Sequence, residues 1–351
     1  MEANVVPTIS LVIPVFNGEP WLRETLNSVC QQTLDHGDFE IVVVDDGSTD
    51  DSRRISSEVL KRNSIRHSVL SQENGGPSKA RNAGWHHSSG EWIQFLDSDD
   101  LLSRRKLEVQ RRWTESTSPD VAVIYSDWQR LEASHGRWEL AGEVVRPVIG
   151  NDSVCDLLSA ANVLLLGSQL IHRGWLEKVG GFDERHWLIE DIDLLLRIAM
   201  AGGAFRHARS EEPLYYYRQR GRESLSQRSR RDFVDGCVRN AEMVEEVWRS
   251  RDELTVGRAR QLAEVYAGGS RYFAACDIPR FNLLVQRIEG LVPGFTPAKP
   301  RRLRQLSRIL GYRRAELLSV QYRRAKAIFV GGLANRIESP SAKPVLPART
   351  A

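Results

Sequence analysis

The stretch Phe39-Glu40-Ile41-Val42-Val43-Val44-Asp45-Asp46-Gly47 decides the fold of this chain. Its apolar, β-branched run predicts a strand that is buried on both faces, as strands of parallel sheets are. The run ends in two carboxylates and a glycine, and apolar residues then recur at helical spacing through Ile55 and Val59-Leu60. A strand followed directly by a helix is the repeating unit of α/β proteins with a largely parallel sheet.

Strand and helix patterns alternate on both sides of this stretch. Ser10–Val15 is predicted to be a short apolar strand and Arg66–Ser71 a weaker one. Gly90-Glu91-Trp92-Ile93-Gln94 predicts the start of a buried strand that runs into Asp97-Ser98-Asp99-Asp100. Ligands of open α/β sheets bind beyond the carboxyl ends of the strands. We therefore expect Phe16, Asp45-Asp46-Gly47 and the acidic run to share one surface.

Two segments after this core read less regularly. The stretch from Trp128 to Asn151 has mixed polarity and is predicted to be an excursion from the sheet, whereas Val163–Ile171 is predicted to be a strand. Glu190–Ala201 has the apolar spacing of a helix, and strand patterns stop after about residue 230.

The acidic run after the fourth strand has a chemical interpretation and a bland one. Carboxylates collected at a strand end need a cation, and Mg²⁺ or Mn²⁺ prefers oxygen ligands. Asp97 and Asp99 are spaced so that both can turn toward one ion. Taken alone, the run is better explained as a solvated acidic turn with a helix cap, and only its companions along the chain favour the cation.

Composition places the chain among soluble folded proteins. It has 351 residues, of which 41% are hydrophobic and 27% charged, so one large domain and a smaller one are expected. The first residues lack a signal-peptide pattern, and no apolar run approaches the roughly 20 residues that span a bilayer. Four widely spaced cysteines fit reduced thiols. We predict a cytoplasmic protein.

Basic residues are concentrated near the C-terminus. Ten Lys or Arg and one acid lie between Lys299 and Lys326, a local charge of +9 against +3 for the whole chain, so the remainder carries −6. Leucines recur there at helical spacing and predict a basic amphipathic helix over 301–328. That helix can pack its apolar edge on the protein or lie peripherally on the inner face of a membrane. Nucleic acid is not expected, because the rest of the chain is net acidic.

These patterns predict four regions. Residues 1–230 are expected to form an α/β domain, 231–292 a helical region, 293–338 a proline-marked linker with the basic helix, and 339–351 a disordered tail.

Six elements in order resemble the family 2 glycosyltransferases, which have the GT-A fold. They are Pro14-Val15-Phe16-Asn17, Asp45-Asp46-Gly47-Ser48-Thr49-Asp50, Asn74-Gly75-Gly76 with Ala80-Arg81-Asn82-Ala83-Gly84, Asp97-Ser98-Asp99-Asp100, Gly180-Gly181-Phe182-Asp183-Glu184 and Glu190-Asp191-Ile192-Asp193-Leu194. The resemblance covers roughly residues 8 to 220. It implies a Rossmann-like, mostly parallel twisted sheet flanked by helices, with a helical C-terminal extension.

The resemblance also implies an activity: inverting transfer of a sugar from a nucleoside-diphosphate sugar to a hydroxyl of a polysaccharide, glycolipid, other glycan or lipid-linked acceptor. Each matching residue then has an expected role. Asp46 accepts from the donor base near Pro14 and Phe16, Arg81 approaches the donor, Asp97 and Asp99 contact the donor and hold Mn²⁺ or Mg²⁺, Asp191 is the catalytic base, and Glu190 orients the acceptor.

The chain departs from the family at Tyr217-Arg218-Gln219-Arg220, where a Tyr-Arg-x-His is common. Arg220 stands in place of the histidine. An arginine does not ligate a cation, but Arg218 and Arg220 are suited to clamp phosphate.

Two other functions remain open at the level of sequence. A sugar nucleotidyltransferase shares the layered architecture, but usually has a Gly-rich basic loop after the first strand, where this chain has Pro14-Val15-Phe16-Asn17-Gly18. A non-catalytic scaffold that binds nucleotide sugar would also fit, and intact Asp99 and Asp191 argue against it.

Overall fold

The computed structural model describes residues 8–115, 117–134, 137–160, 162–220 and 229–337, with side chains up to residue 326. The chain divides into two compact units, Met1–Leu254 and Thr255–Ala351. The predicted disordered tail, 339–351, lies outside the described residues.

The first unit contains two sheets and eight described helices. Its strands are β1 (Ile9–Val15), β2 (Phe39–Asp45), β3 (Arg66–Ser71), β4 (Trp92–Phe95), β5 (Leu101–Leu102), β6 (Val121–Tyr125), β7 (Trp128–Ser134), β8 (Arg137–Val145), β9 (Gln169–His172), β10 (Ala204–His207) and β11 (Tyr215–Arg218). Its helices are α1 (Glu19–Cys30), α2 (Ser52–Leu60), α3 (Pro77–His87), α4 (Lys106–Thr114), α5 (Ser153–Leu158), α6 (Arg173–Val179), α7 (Glu190–Met200) and α8 (Arg230–Ser250).

The larger sheet has seven strands in the order β10-β6-β9-β4-β1-β2-β3. Strand β1 pairs in parallel with β2 and β4, β2 with β3, and β6 with β10, whereas β9 runs antiparallel to β4 and β6. Every residue of β2 is buried, as the opening stretch of the sequence predicts. The predicted fold class, a mostly parallel α/β sheet flanked by helices, is confirmed.

The smaller sheet adds detail to one local prediction, and a turn beside it corrects another. The segment from Trp128 to Asn151, predicted to be an excursion, lies outside the larger sheet, and its β7 and β8 form an antiparallel hairpin in the sheet β5-β11-β7-β8. Its exposed face explains the mixed polarity. The strand predicted over Val163–Ile171 is confined to β9, since a 3-10 turn at Leu166–Ser168 precedes it.

A buried lysine braces the larger sheet next to this turn. Lys106 is fully buried, and its Nζ contacts the side-chain oxygens of Gln94 on β4 and Gln110 on α4. The two amides donate in turn to the carbonyl groups of Gly167 and Ser168. Burial holds the pKa of Lys106 well below its usual range.

The second unit is helical. It consists of α9 (Val256–Phe273), α10 (Ile278–Leu291), α11 (Arg301–Leu310) and α12 (Tyr312–Ile337). The basic segment predicted as one helix over 301–328 is therefore two helices. They are separated at Gly311, whose φ of +75° interrupts the helical backbone.

Membrane-spanning helices and disulfides are both absent from the part of the chain that the structure describes. Among the described residues, no helix is both long and apolar enough to cross a membrane. The cysteines Cys30, Cys155, Cys237 and Cys276 are all free thiols.

Candidate active site

Parallel pairing brings three strand ends to one edge of the larger sheet. Val15 is in register with Asp45, and Val12 with Phe95, so the residues that follow β1, β2 and β4 lie side by side. Phe16 follows β1 and is 52% exposed. Pro14 is partly buried within β1, in register with Val44. The shared surface expected from the sequence is present.

Asp46 is held inside a loop of backbone donors. Its carboxylate accepts hydrogen bonds from the N–H groups of Gly75 at 2.9 Å and Gly76 at 2.8 Å, and from Nε2 of Gln72 at 2.7 Å. Nδ2 of Asn74 donates to the Asp46 carbonyl at 3.0 Å. The glycine break recognised in the sequence thus fixes the orientation of Asp46.

Three carboxylates collect where β4 ends. One oxygen each of Asp97, Asp99 and Asp100 lies within 4.8 Å of the others. Asp100 is buried and already used, since it accepts from the Tyr215 hydroxyl and from the Arg218 N–H at 2.7 Å. Asp97 and Asp99 are the members of the cluster that keep some exposure.

Arg220 neutralises part of this negative charge. Its Nη2 lies 2.6 Å from Oδ2 of Asp99. Burial, followed by repulsion from Asp97, nevertheless raises the pKa of Asp99 to about 6, and Arg220 opposes the rise. The arginine that replaces the family's histidine therefore contacts the acidic motif directly.

Arg218 lies in a different environment from Arg220. Its guanidinium is fully buried, lies about 5 Å from the ring centres of Trp21 and Trp138, and pairs with Oε2 of Glu24 at 2.6 Å. Among the described residues, its Nε and Nη1 have no hydrogen-bond partner. The structure thus places the Arg218 side chain between α1 and the β7–β8 hairpin, not among the exposed groups of the edge.

Arg81 connects the strand-end acids to α7. From α3, its Nη2 contacts Oδ1 of Asp97 at 2.8 Å and its Nη1 contacts Oε1 of Glu190 at 2.7 Å. The guanidinium is almost fully buried and lies 5.4 Å from the centre of the Phe182 ring. One side chain thereby joins two of the motifs that are far apart in sequence.

Asp191 follows Glu190 in the first turn of α7. Its Oδ1 accepts from the N–H of Ile192 at 2.8 Å. The residue keeps some solvent-accessible surface, but the surrounding protein desolvates its carboxyl group. This burial, followed by repulsion from Glu190, raises the pKa of Asp191 to about 7, and Arg81 opposes the rise. A carboxyl group with such a pKa is suited to accept a proton near neutral pH.

Neighbouring Asp193 and Arg197 have structural partners. Arg197 pairs with Asp193 at 2.7 Å and donates to the carbonyl groups of Val179 and Gly181. These bonds anchor α7 to the Gly-Gly-Phe-Asp element before it.

Several residues of the site escaped sequence reasoning. The Tyr215 hydroxyl contacts Asp100, and the rings of Trp21 and Trp138 lie against Arg218. These three residues come from separate elements, and none of them stands in a motif. Only the acidic run itself could have pointed to Asp100. The contacts depend on how the smaller sheet packs, which spacing along the chain does not reveal.

Comparison with known sequences identifies the domain that contains β1, β2 and β4 and the residues at their carboxyl ends. The sequence model described as "Glycosyl transferase family 2" matches residues 10–145. The chain carries a family 2 glycosyl transferase domain. The family resemblance expected from the motifs is thereby confirmed.

Curated relatives of this glycosyl transferase domain match over short segments. An uncharacterized glycosyltransferase of Rickettsia felis is 42% identical over 110 residues, 31% of this chain and 18% of the relative. The poly(ribitol-phosphate) beta-N-acetylglucosaminyltransferase TarS of Staphylococcus aureus is 34% identical over 115 residues, 33% of this chain and 20% of TarS. The matched segment thus spans about a fifth of these relatives.

Solved structures match the fold over most of the chain. TarS residues 1–349 of S. aureus, in complex with UDP-GlcNAc, superpose with a TM-score of 0.63 at 21% identity, covering 91% of this chain and 92% of that one. The mannosyltransferase PcManGT of Pyrobaculum calidifontis, with GDP-Man and Mn²⁺, gives a TM-score of 0.53 at 17% identity, covering 91% and 88%. The GT-A fold is confirmed.

Proposed function

We propose that this chain is an inverting glycosyltransferase that moves a sugar from a nucleoside-diphosphate sugar to an acceptor hydroxyl. The observation that carries the proposal is the bridge made by Arg81 between Asp97 and Glu190. It joins the acids at the end of β4 to the helix that bears Asp191. Groups suited to hold a diphosphate and to accept a proton thereby belong to one cluster.

The donor base is assigned to the edge formed by β1 and β2. A uracil or guanine ring presents N–H donors, and the carboxylate of Asp46 is a strong acceptor whose orientation Gly75 and Gly76 already fix. Phe16 is exposed next to Asp46 and offers a ring on which a base can stack. It directly follows β1, the strand that contains Pro14.

The acidic cluster fits a hard divalent cation, because its candidate ligands are closely spaced carboxylate oxygens. Asp97 and Asp99 would hold Mn²⁺ or Mg²⁺, since Asp100 already accepts from Tyr215 and Arg218. When bound, the cation would neutralise negative charge on the diphosphate leaving group. Arg220, paired with Asp99 in the present structure, would then be released to contact phosphate.

The chemical step is assigned to α7. Asp191 accepts the proton of the acceptor hydroxyl as that oxygen attacks the anomeric carbon, and Glu190, fixed by Arg81, orients the acceptor. One displacement inverts the anomeric configuration. Arg218 supports the site indirectly, because its N–H binds Asp100 while its side chain remains between Trp21 and Trp138.

Asp99→Asn is expected to weaken UDP binding about 10- to 100-fold in the presence of Mn²⁺, the effect of losing an interaction with a charged group. Without the metal the change should be small, because Arg220 remains. Isothermal titration of UDP with and without Mn²⁺ measures both. Asp120→Asn is the matched control, because Asp120 is an exposed acid just before the amino end of β6. An unchanged response of Asp99→Asn to metal would remove Asp99 as a ligand.

A nucleotide panel tests the function as a whole. UDP, GDP, dTDP and CMP, each with and without Mn²⁺, should give one nucleoside diphosphate that raises the melting temperature more than the others. The corresponding sugar donor should then release that diphosphate faster when acceptor is added. Binding without turnover would favour the scaffold, and formation of a nucleotide sugar from a sugar phosphate would favour the nucleotidyltransferase.

A glycan or lipid-linked acceptor is proposed, and the second unit offers a surface for an anionic membrane. On α11, Ile309 is 79% exposed and Leu306 38%, with exposed Arg302 and Arg308 on the same helix. Leu303, one turn before Leu306 on the same helix, is buried. Apolar side chains flanked by arginines are suited to the cytoplasmic face of a membrane, where anionic lipids attract basic residues.

Arg302→Glu with Arg308→Glu should reduce binding to vesicles that contain anionic phosphatidylglycerol by more than tenfold, because each basic residue contributes about 1 kcal/mol near such a surface. Co-sedimentation with these vesicles and with neutral phosphatidylcholine vesicles measures the effect. Arg53→Glu, an exposed position on α2, is the matched control. Equal binding of the double variant and the native chain would place the membrane contact elsewhere or exclude it.

A further inference from the structure

A second aromatic side chain is exposed beside the site, and the proposed function leaves it without a role. Trp187 is 57% exposed and lies three positions before Glu190. Large aromatic side chains are normally buried for much of their area, so an exposed tryptophan next to a cluster of functional groups indicates a contact surface.

The ring of Trp187 lies against the backbone that orients Asp46. A Cβ atom added at Gly76 would lie 3.2 Å from Cε2 and Cζ2 of the indole, closer than an ordinary van der Waals contact, so the ring packs tightly on this glycine. The N–H of the same Gly76 donates to Asp46 at 2.8 Å. Trp187 is therefore packed on one part of its ring and open to solvent on the rest.

The segment that carries Trp187 is fastened to α3. Asn82 exchanges hydrogen bonds with the backbone of Phe182, accepting from its N–H and donating to its carbonyl group, both at 2.9 Å. The Ser78 hydroxyl donates to the carbonyl group of His186 at 2.8 Å. Asp183 pairs with Arg185 at 2.6 Å within the segment. These bonds hold the segment that carries Trp187 in place, although the Trp187 ring itself is largely exposed.

Backbone strain lies between Trp187 and the acids. Ile189 has a φ of +66°, a conformation that β-branched residues rarely adopt because it strains the backbone. Its side chain is braced by α8, where a Cβ at Gly236 would lie 3.1 Å from Cγ1 of Ile189. This strained residue allows the chain to turn directly from Trp187 into Glu190 and Asp191. Strain maintained in this way commonly accompanies a functional geometry.

We propose that Trp187 forms an acceptor subsite, in which the indole stacks on the apolar C–H face of the pyranose ring whose hydroxyl is glycosylated. The proposal rests on the proposed function. A pyranose presents one face of C–H groups rimmed by hydroxyls, and an indole offers a flat apolar surface with one N–H donor. Phe16 lies with the β1 and β2 ends assigned to the base, whereas Trp187 leads into the acids assigned to the acceptor.

Kinetics separate this role from a donor contact. Trp187→Ala should raise the KM for a pyranoside acceptor at least tenfold, leave the KM for the sugar donor within about twofold, and change the melting temperature little because the ring is exposed. Trp187→Phe should recover part of the acceptor KM. Phe16→Ala should show the opposite pattern, with the donor KM raised. Trp175→Ala, a partly exposed tryptophan on α6, should change neither constant.

Saturation-transfer NMR tests the same contact without turnover. Methyl pyranosides of glucose, galactose, mannose and N-acetylglucosamine, with UDP and Mn²⁺ present, should include one whose axial C–H protons receive saturation from the native protein. Trp187→Ala should abolish this transfer, and Trp175→Ala should retain it. Unchanged transfer in Trp187→Ala, or no transfer to any pyranoside in a sample that binds UDP, would overturn the subsite. A native protein that binds no nucleotide would instead refute the proposed function.

Discussion

Asp191→Asn is expected to reduce kcat by about 10³-fold, within the range that general-base catalysis contributes. The amide keeps the size of the side chain but does not accept the proton of the acceptor hydroxyl. Nucleotide binding should remain within about twofold of the native value, because the groups assigned to the donor are on other elements. Steady-state transfer kinetics and titration with UDP measure the two effects. Asp120→Asn is again the matched control.

The pH profile of the native protein gives an independent test of Asp191. Its pKa is raised to about 7, so the ionised form that acts as base becomes dominant above neutral pH. We expect kcat/KM to rise from about pH 6 to about pH 8 and then level off. A profile already flat at pH 6, or an Asp191→Asn variant that retains native kcat, would exclude Asp191 as the base.

The raised pKa of Asp191 affects stability as well: activity should rise with pH, whereas the free energy of unfolding should fall. Between the ordinary pKa of an aspartate and about 7, the unfolded chain is ionised at this position while the folded protein still binds the proton, so Asp191 lowers the free energy of unfolding as pH rises. Asp191→Asn should therefore melt at a higher temperature than the native protein at pH 8, and the difference should shrink toward pH 5.

Arg81→Met is expected to have the second-largest effect, on stability and activity together. It removes both bonds of the bridge and leaves Glu190, 12% exposed, without its partner at a buried position. Breaking a buried pair costs about 3 kcal/mol, the lower end of the usual range, because Asp97 remains 43% exposed. Since α7 also loses a link to the acidic cluster, kcat/KM should fall about 100-fold.

Two further variants separate charge from geometry at this position. Arg81→Lys keeps the charge, but one ammonium group does not reproduce two nitrogens directed at different carboxylates, so most of the kcat/KM should remain lost. Arg54→Met, on the exposed face of α2, should change the free energy of unfolding by less than about 0.5 kcal/mol. Chemical denaturation and transfer kinetics provide the measurements. Native kinetics in Arg81→Lys would show that only its charge matters.

The fold was predictable because its signals are local. The buried run of β2 and the strand ends at Phe16, Asp46 and Asp97 each reflect the needs of a parallel sheet whose carboxyl edge is shared. The β7–β8 hairpin was not recognised, because its exposed face mixes polar and apolar residues. The break at Gly311 was missed for another reason: the leucine spacing continues across it, while the backbone conformation changes.

The candidate site was predictable in its residues but not in its contacts. Sequence order indicated Arg81, Asp99 and Asp191 separately, through motifs. It did not indicate that Arg81 would bridge two of these motifs, or that Arg220 would pair with Asp99 while the Arg218 side chain is buried. Trp187 stood in no motif, and its exposure and its contact with Gly76 arise only when α3 and the segment before α7 come together.

Inverting transfer with Asp191 as base is tested most directly by following the anomeric carbon by NMR. The reaction contains a ¹³C-labelled UDP-sugar, a pyranoside acceptor and Mn²⁺. If the nucleotide panel selects GDP, the labelled GDP-sugar replaces the UDP-sugar. We expect the donor signal to be replaced by that of a glycoside of opposite anomeric configuration, and to remain unchanged with Asp191→Asn. A product of retained configuration, equal turnover in Asp191→Asn, or no product from a native sample that binds the nucleotide would contradict this expectation.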